Sequence, residues 1–292
     1  MRVALTLALV LAACDGPASP DDAGVVAFDA GPPRPPETVG PEARLARLFT
    51  PPAYDGATPL PLVLLLHGHG VNAQAQDLYL GMTRHARRAG FYVLLPDGTP
   101  DASGEPHWDV LTVALDDHAY LRGLIEEVQS IVPVASGEVF VVGHSNGGFM
   151  AYRLACDSAD LVTGIASLAG SDAVSGTLGC DPVADVAVLE IHGDADGTVS
   201  YDGGSIAGLD YPSSEVAVSS WADRLGCTAT SDGAPLDLVT DLDGAETRVL
   251  DHTGCVGASL WTMQGADHIP SLTGDFTPSV IAWLRAHARP PR

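Results

Sequence analysis

No lysine occurs among the 292 residues; all 14 basic side chains are arginines. That absence excludes chemistry built on a lysine: a Ser–Lys dyad, a Schiff base, or a phosphate-loop lysine. Positive charge is scarce altogether. Against 37 carboxylates the arginines leave a formal charge of −23, which argues against a nucleic-acid partner, because phosphates demand cations. Acidity on this scale reads as a solvated surface. Cysteine is also sparse, at five, and no C-x-x-C spacing occurs, so a zinc site finds no support and no metal is expected.

The long apolar run that does occur lies at the start. Met1-Arg2 is followed by apolar sequence to Ala13, too short for a lasting transmembrane helix and readable as a signal peptide over 1–13. It ends in Leu11-Ala12-Ala13-Cys14, which looks like a bacterial lipoprotein cleavage box, with Cys14 as the lipidated residue. The expected setting is therefore export, with a membrane contact through a lipid at Cys14 or release outside the cell. Residues 14–41 are rich in Pro, Asp, Gly and Ala, cannot bury a core, and read as an extended tether. Setting Cys14 aside leaves Cys156, Cys180, Cys227 and Cys255, an even set that an oxidising compartment would pair. Three pairings are possible. Cys156 with Cys180 and Cys227 with Cys255 is favoured, since each pair flanks one structural unit.

Residues 42–292 are long enough for one large α/β domain, and at 46% the hydrophobic content supplies a core. Strand and helix signals alternate, which predicts a mostly parallel twisted sheet with helices on both faces. Residues 44–50 suit an early edge strand. Leu62 to Leu66 is continuously apolar, as in a strand buried on both faces. A helix is expected over 74–89, closed by Gly90, then a strand over 91–95 stopped by Pro96. An amphipathic helix spans 115–131, with Leu121, Leu124, Ile125 and Val128 on one face. Further strands are expected at 139–142, 164–168 and 186–191, and the last within 248–263. Helices are expected at 213–225 and 276–288. No internal repeat is evident.

Between the strand at Val139 to Val142 and the helix beginning at Phe149 lies Gly143-His144-Ser145-Asn146-Gly147-Gly148. A G-x-S-x-G pattern at a strand–turn–helix junction folds the backbone so tightly that the hydroxyl stands above the sheet. Ser145 is the candidate nucleophile; the plain alternative is a glycine-rich turn with a capping serine. A serine needs a base. Among His192, His252, His268 and His287, the choice is His268, on a loop after the last strand. His192 ends a strand and suits local bonding, and His287 suits a helix C-terminus. The acid is Asp196, with Asp194 as runner-up, in the loop that follows the strand ending at Ile191-His192. A carboxylate there would fix the imidazole tautomer. Oxyanion donors are assigned to the amides of Asn146 and of His69 or its neighbour Gly70, after Leu66-His67-Gly68. His67 and His69 could also be read as a metal pair, but no partner set stands around them. Trp108 and Tyr201 are candidate aromatic walls of a substrate cleft, or ordinary packing.

These motifs, with Met150 to Cys156, His192-Gly193-x-Ala195-Asp196, Tyr201-Asp202-Gly203-Gly204 and Leu260-Trp261-Thr262 ahead of His268, resemble the secreted polyhydroxybutyrate depolymerase and feruloyl esterase group of α/β-hydrolases. The resemblance runs from about Arg44 to Leu284. It implies the same triad, the same two cysteine pairs, and hydrolysis of carboxylic esters without a cofactor. The loop Ala266 to Ser271 departs from the group: it lacks the aromatic expected beside the base, and Ser200 stands in place of a proline. The connection 169–185 is short, so no large cap domain is expected and the site should be open, which suits polymeric or bulky esters. The expected activity is a serine esterase acting as a monomer, on a hydroxyalkanoate-type polyester or, alternatively, on feruloyl or acetyl esters of plant polysaccharide. A serine peptidase, which often brings a propeller or cap, and a non-catalytic surface binding lipoprotein, which would need a broken triad, are the rivals from other classes.

Overall fold

A computed structural model describes residues 31–110, 116–173, 175 and 179–290. The signal-peptide reading, Cys14 and most of the tether lie outside these residues.

The continuous apolar runs form the middle of a ten-stranded sheet. Its first half is built from β1 (Thr38–Val39), β2 (Ala46–Phe49), β3 (Leu60–Leu66), β4 (Tyr92–Leu95) and β7 (Val134–His144). Its second half is built from β8 (Gly164–Leu168), β9 (Ala187–Gly193), β12 (Ala229–Asp232), β13 (Thr247–Thr253) and β14 (Ala258–Met263). The spatial order is β1-β2-β4-β3-β7-β8-β9-β14-β13-β12. From β4 to β14 every neighbour is parallel. Antiparallel strands close both margins, and outside the sheet β5 (Thr99–Pro100) pairs with β6 (Pro106–His107).

Six helices flank the sheet among the described residues: α1 (Ala73–Leu80), α2 (Met82–Ala89), α3 (Asp117–Ile131), α4 (Asn146–Asp157), α5 (Ser214–Arg224) and α6 (Phe276–Ala286). Alternate strand residues point to opposite faces, and each face has its own core. Leu62, Leu64, Val139 and Val141 pack with Leu121, Tyr152 and Trp221 from α3, α4 and α5. Val63, Leu65, Phe140 and Val142 pack with Met82, Phe276, Val280 and Ile281 from α2 and α6. The arrangement is the expected α/β layering, with the strand C-termini gathered at one end.

Three expectations need correction. The helix over 74–89 is two helices. Gly81 takes φ 64° and ends α1 by donating to the Asp77 carbonyl, while the Asp77 carboxylate accepts from the amide and hydroxyl of Thr83. That side chain starts a new helix, where periodicity alone reads one. Within the stretch taken as tether, Thr38 and Val39 pair with Arg47 and Ala46, and Val39 is buried. The span 248–263 holds two strands, β13 and β14, joined by a turn.

Both favoured disulfides are present. Cys156 at the end of α4 bonds Cys180 in the β8–β9 connection, and Cys227 after α5 bonds Cys255 in the β13–β14 turn, with Cα separations of 5.3 and 4.7 Å. The second encloses 28 residues of sequence separation; on chain-entropy grounds, removing it costs about 3–4 kcal/mol. The expected outcome for Cys227→Ser/Cys255→Ser is a urea midpoint lowered by that amount times the inverse of an unchanged m-value.

Candidate active site

Ser145 occupies the step between β7 and α4 with φ 55° and ψ −120°, a conformation L-residues rarely adopt. The flanking glycines make it possible. A Cβ at Gly143 would sit 2.0 Å from the Gly147 carbonyl oxygen, and one at Gly147 would sit 2.6 Å from the oxygens of Leu66 and His67. The turn is therefore packed against the end of β3, and the Ser145 side chain is left above the sheet edge.

Two further loops meet it. The Ser145 hydroxyl donates to His268 Nε2 at 2.9 Å. His268 Nδ1–H donates to Asp196 Oδ2 at 2.7 Å. The other Asp196 oxygen accepts the amides of Thr198 and Val199 at 2.8 and 2.9 Å. Burial works to raise the Asp196 pKa, but hydrogen bonds from His192 and then His268, together with those amides, hold it well below the usual carboxylate range. Asp194, the runner-up, is exposed and accepts the Gly265 amide at 2.6 Å; it braces the base loop from outside.

The base loop is held at several points. Asp267 Oδ1 accepts the amides of His268 (2.7 Å) and Gly197 (3.3 Å), tying the base loop to the acid loop. Tyr79 donates to the Pro270 carbonyl at 2.9 Å. His144 Nε2–H donates to the His268 carbonyl at 3.1 Å. Sequence reasoning passed over His144 as the variable position of the motif, yet its ring lies 5.3 Å from that of His268. A hydroxyl, an imidazole and a carboxylate in one line can move a proton off the serine as it attacks a carbonyl carbon, with the resulting imidazolium stabilised by Asp196.

Of the assigned oxyanion donors, Gly70 is corrected: its amide donates to the Pro106 carbonyl at 2.9 Å. Asn146 opens α4, and its side chain is used elsewhere: Oδ1 accepts the Trp108 amide and Nδ2 donates to the Trp108 carbonyl. His69 lies at the cleft rim, its ring paired with Asp101 at 2.9 Å. His67 is buried, with Nδ1–H donating to the Gly68 carbonyl and Nε2 accepting the Gly98 amide. Both of its nitrogens are spent inside the fold, which removes the metal-pair reading.

The cleft over Ser145 has a volume of about 690 Å³. Its apolar lining comes from Val110, Phe149, Val199, Ile206 and Leu209, with exposed Ile269 beside the base. Trp108 borders it but is 1% exposed, its indole N–H donating to the His67 carbonyl; it is a foundation rather than a wall. Tyr201 is no cleft residue, since its hydroxyl bonds Thr262 and its ring packs edge-on against His192. Ile206 and Leu209 sit on a hairpin of β10 (Gly204–Ile206) and β11 (Leu209–Tyr211) whose two-residue turn has φ 51° at Ala207 and 82° at Gly208. The Gly at the second turn position was the available signal for this hairpin.

Searches of known proteins agree with this geometry. The chain has the α/β-hydrolase fold, and its sequence is similar to proteins named esterases. NocK of Nocardia uniformis subsp. tsuyamanensis, named an esterase by inference, is 34% identical over 155 residues, 52% of this chain and 44% of that protein. Feruloyl esterase C of Emericella nidulans is 28% identical over 217 residues, 71% of this chain and 70% of the relative. The chain thus spans about half the length of several curated relatives it matches. An acetyl xylan esterase from Aspergillus awamori superimposes with a TM-score of 0.64 at 15% identity, covering 84% of this chain and 98% of that one. No protein-family profile matches the chain.

Burial holds the His144 pKa down, at about 4. A neutral histidine in the fold that would take a proton near 6.5 once unfolded makes the unfolded state the stronger proton binder between those values. Stability present above pH 6.5 is therefore lost as pH falls toward 4, by up to roughly 3 kcal/mol. Urea unfolding from pH 7 to 4 should show this loss in the wild type. It should be reduced in His144→Gln, which keeps a donor for the His268 carbonyl and does not titrate.

Proposed function

We propose that this α/β-hydrolase is a serine esterase working through an acyl-enzyme. The observation that carries the reading is the unbroken chain of hydrogen bonds from Ser145 through His268 to Asp196. Ser145 attacks the ester carbonyl, His268 takes the serine proton and delivers it to the leaving alcohol, and Asp196 holds the imidazole in register. The amides of His69 and Asn146 receive the oxyanion. Water activated by His268 then releases the acid.

The substrate is a bulky ester. The cleft volume and its apolar wall suit an aryl or branched acyl group, and the similarity to a feruloyl esterase C supports a feruloyl-type aryl ester. The polar groups His69, Asp101 and His107, which also line the cleft, suit the hydroxyls of a sugar-like alcohol. A hydroxyalkanoate polyester is the second reading, favoured by the exposed apolar Ile269 at the mouth. The protein is exported and anchored by lipid at Cys14; two disulfides fit an oxidising compartment. Cys14→Ser should move it from the membrane fraction to the soluble one.

Ser145→Ala should lower turnover of a p-nitrophenyl ester by about 10⁴-fold or more, and near-normal hydrolysis would sink the assignment. Asp196→Asn should be far more damaging than Asp194→Asn. Comparing short-chain p-nitrophenyl esters, methyl ferulate and polyhydroxybutyrate film separates the two substrate readings.

A further inference from the structure

Behind the triad acid lies a group that the mechanism above does not use. His192, at the end of β9, is fully buried, and so is Glu190 two residues earlier. Residues two apart on a strand share a face, so both side chains point to the α4–α5 side of the sheet. His192 Nε2 faces two acceptors, the Val199 carbonyl at 2.8 Å and Asp196 Oδ2 at 3.2 Å. That nitrogen must carry a proton. Its Nδ1 faces Glu190 Oε1 at 3.2 Å and the Ser214 hydroxyl of α5 at 2.9 Å. Burial raises the Glu190 pKa; the bond from His192, and then the buried hydroxyls of Ser167 on β8 and Tyr152 on α4, which have no other hydrogen-bond partner among the described residues, work against that rise. Tyr201 contacts the His192 ring edge-on, and His144 and His268 lie beyond Asp196 on the side of the cleft.

We propose that Glu190 and His192 form a buried ion pair that braces Asp196 from behind and so positions the triad base. The inference rests on the esterase reading. Asp196 Oδ2 is shared by two imidazoles, His268 in front and His192 behind, while Oδ1 is taken by two amides. The carboxylate therefore has four donors and no free rotamer. An isolated histidine in a dry core would be neutral and an isolated glutamate protonated; side by side, each supplies the charge the other lacks. The consequence is directional. A cation beside Asp196 offsets part of its charge, so the carboxylate attracts the imidazolium formed during catalysis less strongly than it would alone. Burial works against the His192 cation, but bonds to Asp196 and Glu190 overcome it and raise its pKa to about 10.

His192 touches neither substrate nor serine, so the test must read more than lost activity. In the native protein labelled with ¹⁵N-histidine, the His192 ring, one of ten, should still carry both protons at pH 9. A spectrum with every ring neutral there overturns the proposal, and this measurement needs no variant. Glu190→Gln and His192→Gln should lower kcat on a p-nitrophenyl ester roughly 10-fold, less than the 10²–10⁴-fold of a general base itself, with KM little changed. In His192→Gln the acid limb of kcat/KM should move up by about one pH unit, because the cation that offsets the charge of Asp196 is gone. A folded His192→Gln, shown by full labelling of Ser145 with a fluorophosphonate, that keeps the wild-type limb also overturns it. Failure of the wild type to take the fluorophosphonate would instead refute the esterase reading and leave the NMR result standing.

Discussion

The site depends on one backbone step. At Ser145 the chain leaves a parallel strand and enters a helix within a single residue of positive φ. Nothing larger than hydrogen fits at Gly143 or Gly147, because carbonyl oxygens of Gly147, Leu66 and His67 occupy the space. This close approach fixes α4 against β3 and β7. It also sets the height at which the hydroxyl stands, and the other two loops are placed to meet that height. The Ser145 amide itself donates to the Leu168 carbonyl at the end of β8, so the turn is locked to the neighbouring strand as well.

The loops converge because parallel strands end together. β9 delivers Asp196 and β14 delivers His268 as neighbours in the sheet, with Met263 opposite Gly193 in register. Bonds between the loops then remove the remaining freedom: Asp267 reaches the Gly197 amide, Asp194 reaches the Gly265 amide, and His144 holds the His268 carbonyl. A rigid site of this kind needs little reorganisation as charge develops. Its acid loop also spends backbone amides on Asp196, which keeps that carboxylate charged although it is 7% exposed.

Much of this was legible in the sequence because the deciding signals are local. Glycines at fixed offsets around Ser145, an apolar run before it and an amphipathic run after it are all contiguous. Asp196 and His268 each follow a strand within a few residues, so chain order was enough to find them. What stayed hidden depends on partners far away. Glu190 lies inside an apolar strand pattern, and no local feature says that Tyr152 and Ser167 will surround it. The Gly81 break was hidden because a glycine inside a helical pattern is ambiguous until Asp77 is seen to cap Thr83. Trp108 and Tyr201 have the composition of cleft walls, but both polar tips are bonded elsewhere. The apolar wall draws on four separated segments, Val110, Phe149, Val199 and the Ile206–Leu209 hairpin, which only the folded chain brings together.

The margins of the sheet carry a consequence of their own. A ten-stranded sheet ends in two rows of unpaired amides and carbonyls, which can recruit a strand from another molecule. Here one margin is the two-residue β1 and the other is β12, Ala-Thr-Ser-Asp, exposed along its whole length. Edges this short and polar offer a second copy few hydrogen bonds and little apolar surface, and the charge of −23 adds repulsion at long range. The polypeptide can therefore be concentrated at a surface without its sheets growing into one another.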